Sequence, residues 1–199
     1  MRCDKKPVSS ELCSPTRNHD TGSPSQRNLA DWVQDYQVHF GNCYQDQNSW
    51  WSDRTLTWDA VLERAWLSRF ADGKMHPHQR RVSSNLAAGL AVSRQDCKQS
   101  QQFKTFAELY QWIESVTHRV KGLGAITAYD VSQRLGMWLN LAPDVVYLHG
   151  GTAEGAAVFK ITGNTALLKV FPPEIQKLGA VHAENFLCIY KDRIKSLSQ

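Results

Sequence analysis

Leu29, Trp32, Val33, Tyr36 and Phe40 recur at the three- and four-residue spacing of one helical face, and the pattern predicts a helix that stops at Gly41. Thr57 then reads as an N-cap for a helix with Trp58, Val61, Leu62, Ala65, Trp66 and Phe70 on one side, ending near Gly73. A third helix is expected after Pro77, turning Val82, Leu86 and Leu90 inward. Thr105-x-x-Glu108 is a capping box opening a helix to His118, with Phe106, Leu109, Trp112, Ile113 and Val116 apolar. After a glycine turn, Thr127 to Leu139 is helical again. Val145–Leu148 is short and β-branched, either a single strand or a buried extended loop. A short helix follows from Thr152 to Phe159. Pro172-Pro173-Glu174 marks a further helix start, and Ala183 to Lys195 is a final amphipathic helix. Together these elements predict an all-α fold, a compact array of about seven or eight helices. Trp66, Leu109, Trp112, Val131, Leu135 and Leu187 are expected in one core.

Residues 1–27 break this pattern. They are rich in Ser, Pro, Thr and charge and carry too little apolar surface to offset ordering entropy, so they read as a disordered tail ahead of a single helical domain over 28–199. The formal charge of +4 permits contact with a polyanion without requiring it. The five cysteines, Cys3, Cys13, Cys43, Cys97 and Cys188, are odd in number and contain no Cys-x-x-Cys pair. That argues against a disulfide framework or a zinc ribbon and suits a reducing compartment. With no apolar run long enough to span a bilayer and no apolar leader, a cytoplasmic, non-membrane protein is expected. Nothing in the pattern fixes an oligomeric state.

Val120-Lys121-Gly122-Leu123-Gly124-Ala125-Ile126-Thr127-Ala128 carries the most chemistry. Two glycines around one apolar residue permit a sharp turn, and backbone amides at the start of the following helix are natural phosphate donors. Arg119 and Lys121 add positive charge beside them. Over 105–139 the arrangement resembles the helix-hairpin-helix motif, a sequence-independent binder of nucleic-acid backbone. The resemblance implies contacts to duplex DNA through Arg119, Lys121, Gly122, Gly124 and Thr127. The same residues are also compatible with a plain connection in which Leu123 plugs the core.

The resemblance extends distantly to the helix-hairpin-helix DNA glycosylases of base-excision repair, which show Gly-x-Gly-x-x-Thr-Ala and then a catalytic aspartate. Asp144 stands at the matching position. The lysine of the bifunctional members is replaced by Ile126, so the resemblance implies base hydrolysis without Schiff-base lyase chemistry. Trp138 and Tyr147 are available to line a base pocket. Ala142-Pro143-Asp144 is equally an ordinary turn, with the aspartate facing water.

Two histidine segments remain. Lys74-Met75-His76-Pro77-His78-Gln79-Arg80-Arg81 is the densest basic run. His76 and His78 can each offer an imidazole to a metal, but spacing fixes no third ligand, so no metal site and no cofactor is predicted. Arg80 and Arg81 read as phosphate contacts, or as a solvated helix start. In Tyr147-Leu148-His149-Gly150-Gly151-Thr152-Ala153-Glu154, His149 is a candidate acid–base group with Glu154, or else a hydrogen-bonded core histidine. With the terminal Leu187-Cys188-Ile189-Tyr190-Lys191-Asp192, these segments resemble a little-characterised family of small intracellular proteins with no activity attached. Three functions follow as expectations. One is non-specific DNA-backbone binding, the second a monofunctional glycosylase using Asp144, and the third a small-molecule or protein-binding module with a histidine-lined pocket.

Overall fold

The computed structural model describes residues 27–197, apart from the side chains of 42–47. The expected tail over 1–27 therefore lies outside the described residues, except for Arg27. The chain is predominantly helical, with nine α-helices among the described residues: α1 (Leu29–Trp51), α2 (Trp58–Leu67), α3 (Ser83–Gln95), α4 (Phe106–His118), α5 (Ala125–Leu139), α6 (Gly150–Ala157), α7 (Pro173–Gln176), α8 (Gly179–Ile189) and α9 (Lys191–Ser196). None of them is long and apolar enough to cross a membrane. The all-α class is qualified by one small sheet: Val145–Tyr147, read from the sequence as a strand or an extended loop, is a strand, β1, paired antiparallel with an unforeseen β2 (Thr165–Leu167) in the register Val145↔Leu167. Helix α1 does not stop at Gly41. A single glycine costs a helix only about 1 kcal/mol, and here it does not end the run.

Contacts divide the described chain, read from its sequence as one domain, into two compact units, 43–142 and 27–42 with 143–197. The first is built on α2 to α5. Trp66, Leu86, Leu109, Ile113, Val116, Val131 and Leu135 are fully buried in one cluster. Gly89 is required here because a β-carbon on it would fall 2.3 Å from the Trp66 ring, so α3 rests its backbone directly on the indole. The predicted caps hold: Thr105 and Glu108 form the reciprocal box at the start of α4, and the Thr57 hydroxyl accepts from the Ala60 amide. Helix α2 ends at Leu67 rather than near Gly73, because Ser68 takes the left-handed conformation (φ 57°) and closes it.

The second unit packs Tyr36, Val146, Ala156, Ile175, Phe186, Leu187 and Ile194 into a separate cluster. Leu187 thus belongs to this core and not to that of Trp66 and Trp112; a helical stripe reports that a face is buried, not against what. A β-carbon on Gly155 would fall 2.4 Å from the Leu187 carbonyl, which brings α6 close against α8. Tyr36 stands edge-on to Phe186, Tyr190 and His182, and its hydroxyl lies 2.8 Å from His182 Nδ1.

A candidate metal centre on the first unit

The loop after α2 sets one side of the site. Once Ser68 has turned the chain, Gly73 (φ 76°) reverses it, and the His76 amide donates back to the Ser68 carbonyl at 2.8 Å. Pro77 then opens a 3-10 turn over Pro77–Val82, where a missing N–H costs nothing. His76 sits at its N-cap, and its Nδ1 accepts weakly from the His78 amide at 3.4 Å. The two imidazoles meet edge to face, with centroids 5.0 Å apart.

Helix α5 supplies the other side. Asp130 and Arg134 are one turn apart on it and both are buried, an uncommon placement for charged residues that calls for partners. Asp130 Oδ2 lies 3.2 Å from His78 Nδ1 and accepts from Gln79 Nε2 at 2.5 Å. Gln79, itself fully buried, passes the connection on: its Oε1 accepts from Arg134 Nη2 at 2.7 Å. Arg134 also donates through Nη1 to the Ser68 hydroxyl (2.6 Å) and to the Ala65 carbonyl (3.1 Å), one of the last carbonyls of α2. Its guanidinium lies 5.0 Å from the Trp51 ring centre. The network is closed beneath and reaches solvent at His78, which is exposed.

The electrostatics keep His76 and Asp130 in the forms that ligate. Burial, reinforced by the Arg134 charge, pushes the His76 imidazole down to about 3, so it is neutral at physiological pH, the form that binds metals. Burial alone would raise the Asp130 carboxyl, but the hydrogen bond and charge of His78 and the charge of Arg134 outweigh it and hold the group well below the usual carboxylate range. Arg134 is pushed down by burial to about 10, against the pull of Asp130, and stays charged. His76, His78 and Asp130 each offer one ligand atom, and these atoms lie within 4.8 Å of one another. Three ligands about 2.1 Å from a tetrahedral ion stand about 3.4 Å apart, so side-chain rotation of roughly an ångström completes the set. Two imidazoles and a carboxylate with further positions open are a donor set for zinc or for divalent iron, cobalt or manganese.

The remaining predicted residues are placed as follows. Arg80 and Arg81 are exposed on the same 3-10 turn as His78. In the connection between α4 and α5, Arg119 does not stand open; it forms a fork with Asp96 (2.8 and 2.5 Å), which also accepts from Trp112 Nε1 at 2.8 Å. Those bonds hold the Asp96 carboxyl below its ordinary range. Gly122 has φ 86° and a β-carbon there would meet Asn85 Nδ2 at 2.7 Å; Asn85 in turn donates to the Lys121 carbonyl, fastening the turn to α3. Gly124 is exposed with open space where a β-carbon would go, whereas Thr127 is buried. The Lys121 side chain is exposed.

Asp144 is exposed in the turn before β1. His149 faces Glu184, with Nε2 3.8 Å from Oε1, while Glu184 accepts from the Thr152 hydroxyl at 2.6 Å. The expected His149–Glu154 pair is not made, because Glu154 accepts from Lys191 and Lys195 at 2.8 and 2.9 Å.

Asp130, Gln79 and Arg134 are the site residues that sequence reasoning missed. A signal for them existed: an aspartate and an arginine four apart on a helix whose neighbours Val131 and Leu135 are apolar. Compared with known protein families, curated proteins and solved structures, the chain matches none.

Proposed function

We propose that the first unit is a divalent-metal-binding module whose ligands are His76, His78 and Asp130. The observation that carries this reading is the convergence of two imidazoles and a buried carboxylate within 4.8 Å, on a frame already fixed by Gln79, Arg134 and Ser68. Such supporting partners orient ligands and strengthen binding by about 10- to 100-fold in known metal sites. Three protein ligands leave a coordination position for water or substrate, the arrangement of reactive rather than purely structural centres. The test is titration with Zn(II) against a chromophoric chelator. One equivalent should bind to the wild-type chain, and His76→Ala, His78→Ala and Asp130→Asn should each weaken it by roughly tenfold or more. Wild-type protein that takes up no zinc, or a triple variant that binds it equally well, contradicts the reading.

One observation favours a second reading, contact with a nucleic-acid backbone through the α4–α5 connection as a helix-hairpin-helix. Gly124 caps α5 without a side-chain hydrogen bond, so no side chain of the cap residue competes for the first-turn amides, and Lys121 stands beside them. The engagement of Arg119 by Asp96 reduces the charge this turn can offer. Salt-dependent binding to duplex DNA, weakened in Gly124→Val and Lys121→Ala, tests it.

A further inference from the structure

The 3-10 turn that carries His78 also carries two arginines with no hydrogen bond or ion pair among the described residues. A 3-10 helix has three residues per turn, so side chains at i and i+3 eclipse. On Pro77–Val82 this sets Gln79 and Val82 on the inner side, in agreement with the burial of Gln79, and places Arg81 one turn on from His78 along the same side. Arg80 follows Pro77 on the remaining outer side. Arg81 is therefore the cation nearest in register to the solvent-facing ligand of the site.

The charge count points the same way. Asp130 is already offset by Arg134, to which it is joined through Gln79. The two imidazoles add no charge when they ligate. A bound dication thus keeps most of its charge for whatever occupies its open position, and Arg80 and Arg81 add two more positive charges on the exposed side. A neutral ligand leaves that excess uncompensated, a carboxylate or a phosphate diester offsets one charge, and a phosphate monoester offsets about two. The planar guanidinium also fits phosphate oxygens bidentately, which an ammonium does not.

We propose that the open position of the His76–His78–Asp130 centre takes a phosphate oxygen, and that Arg81, with Arg80 beside it, holds the other phosphate oxygens. The inference rests on the metal reading above and names its ligand class, a phosphate ester. Binding alone is proposed; no bond is broken.

The experiment uses the full chain loaded with Co(II), whose visible d–d bands report the coordination sphere directly. Inorganic phosphate, phenyl phosphate, a thymidine dinucleotide and acetate are titrated separately. Phosphate and at least one of the two esters should shift the bands and bind roughly tenfold or more tighter than acetate, and the ester that responds identifies a monoester or a diester ligand. Arg81→Ala should lower phosphate affinity by about tenfold while the bands without phosphate persist, and Arg81→Lys should restore only part of it. Acetate binding as tightly as phosphate, or phosphate affinity unchanged in both Arg81→Ala and the Arg80→Ala/Arg81→Ala double variant, overturns the proposal and leaves the metal site standing. A wild-type chain with no protein-bound Co(II) bands overturns both.

Discussion

Replacing Arg134 by methionine removes the charge at the base of the site while keeping a flexible stem beside Trp51. The guanidinium makes three hydrogen bonds, to Ala65, Ser68 and Gln79, and is the compensating cation for a buried carboxylate. Hydrogen bonds to charged groups contribute about 1.5–3 kcal/mol each, but they are not additive, and Arg134 repays part of its own desolvation. Breaking a buried pair by removing one partner costs about 3–5 kcal/mol. An expected loss near 4 kcal/mol follows for Arg134→Met. Asp130→Asn leaves the cation without its carboxylate and should also destabilise. In the double variant neither charge is left alone, so the cost should fall short of the sum by about 1–3 kcal/mol. Urea denaturation followed by Trp fluorescence and far-UV circular dichroism measures all three. A cost below about 1 kcal/mol for Arg134→Met, or a double variant additive within about 0.5 kcal/mol, would refute the view that a buried, mutually compensated pair frames the site.

Three further outcomes are expected. Gly89→Ala drives a methyl into the Trp66 ring and should cost about 1–3 kcal/mol in the same denaturation assay, whereas Gly124→Ala, in open space with an extended backbone, should leave stability within about 0.5 kcal/mol of wild type. His182 is held below its ordinary value of 6.5 by burial, so the unfolded chain takes up a proton that the fold resists. Its contribution is present above pH 6.5 and is lost as pH falls through the lowered value, so wild-type stability should drop between pH 7 and 5 more steeply than that of His182→Gln; equal slopes would contradict this. If the α4–α5 turn grips a phosphate backbone, duplex affinity should fall as salt rises, and folded Gly124→Val should bind more weakly at every salt concentration, as fluorescence anisotropy would report.

The helices with a clean apolar stripe and a capping residue were legible in the sequence; α2 and α4 begin where Thr57 and Thr105 place them. Their ends were less so, because Gly41 and Gly73 look alike on paper, yet the first lies within a continuing helix and the second in a loop. Half of the candidate site was visible as His76-x-His78. The other half was not, since Asp130 is 52 residues from His78 and spacing carries no information across that separation. His149 taught the same lesson: its neighbour in sequence, Glu154, is taken by two lysines, and the carboxylate it faces, Glu184, comes from α8.

The most direct measurement is X-ray absorption on the full chain carrying one equivalent of Zn(II). The account predicts a nitrogen and oxygen shell at about 2.0–2.1 Å with the multiple scattering of two imidazoles, falling to one imidazole in His76→Ala or His78→Ala. A sulfur shell at about 2.3 Å, or a first shell of oxygens alone with no imidazole scattering, would contradict it.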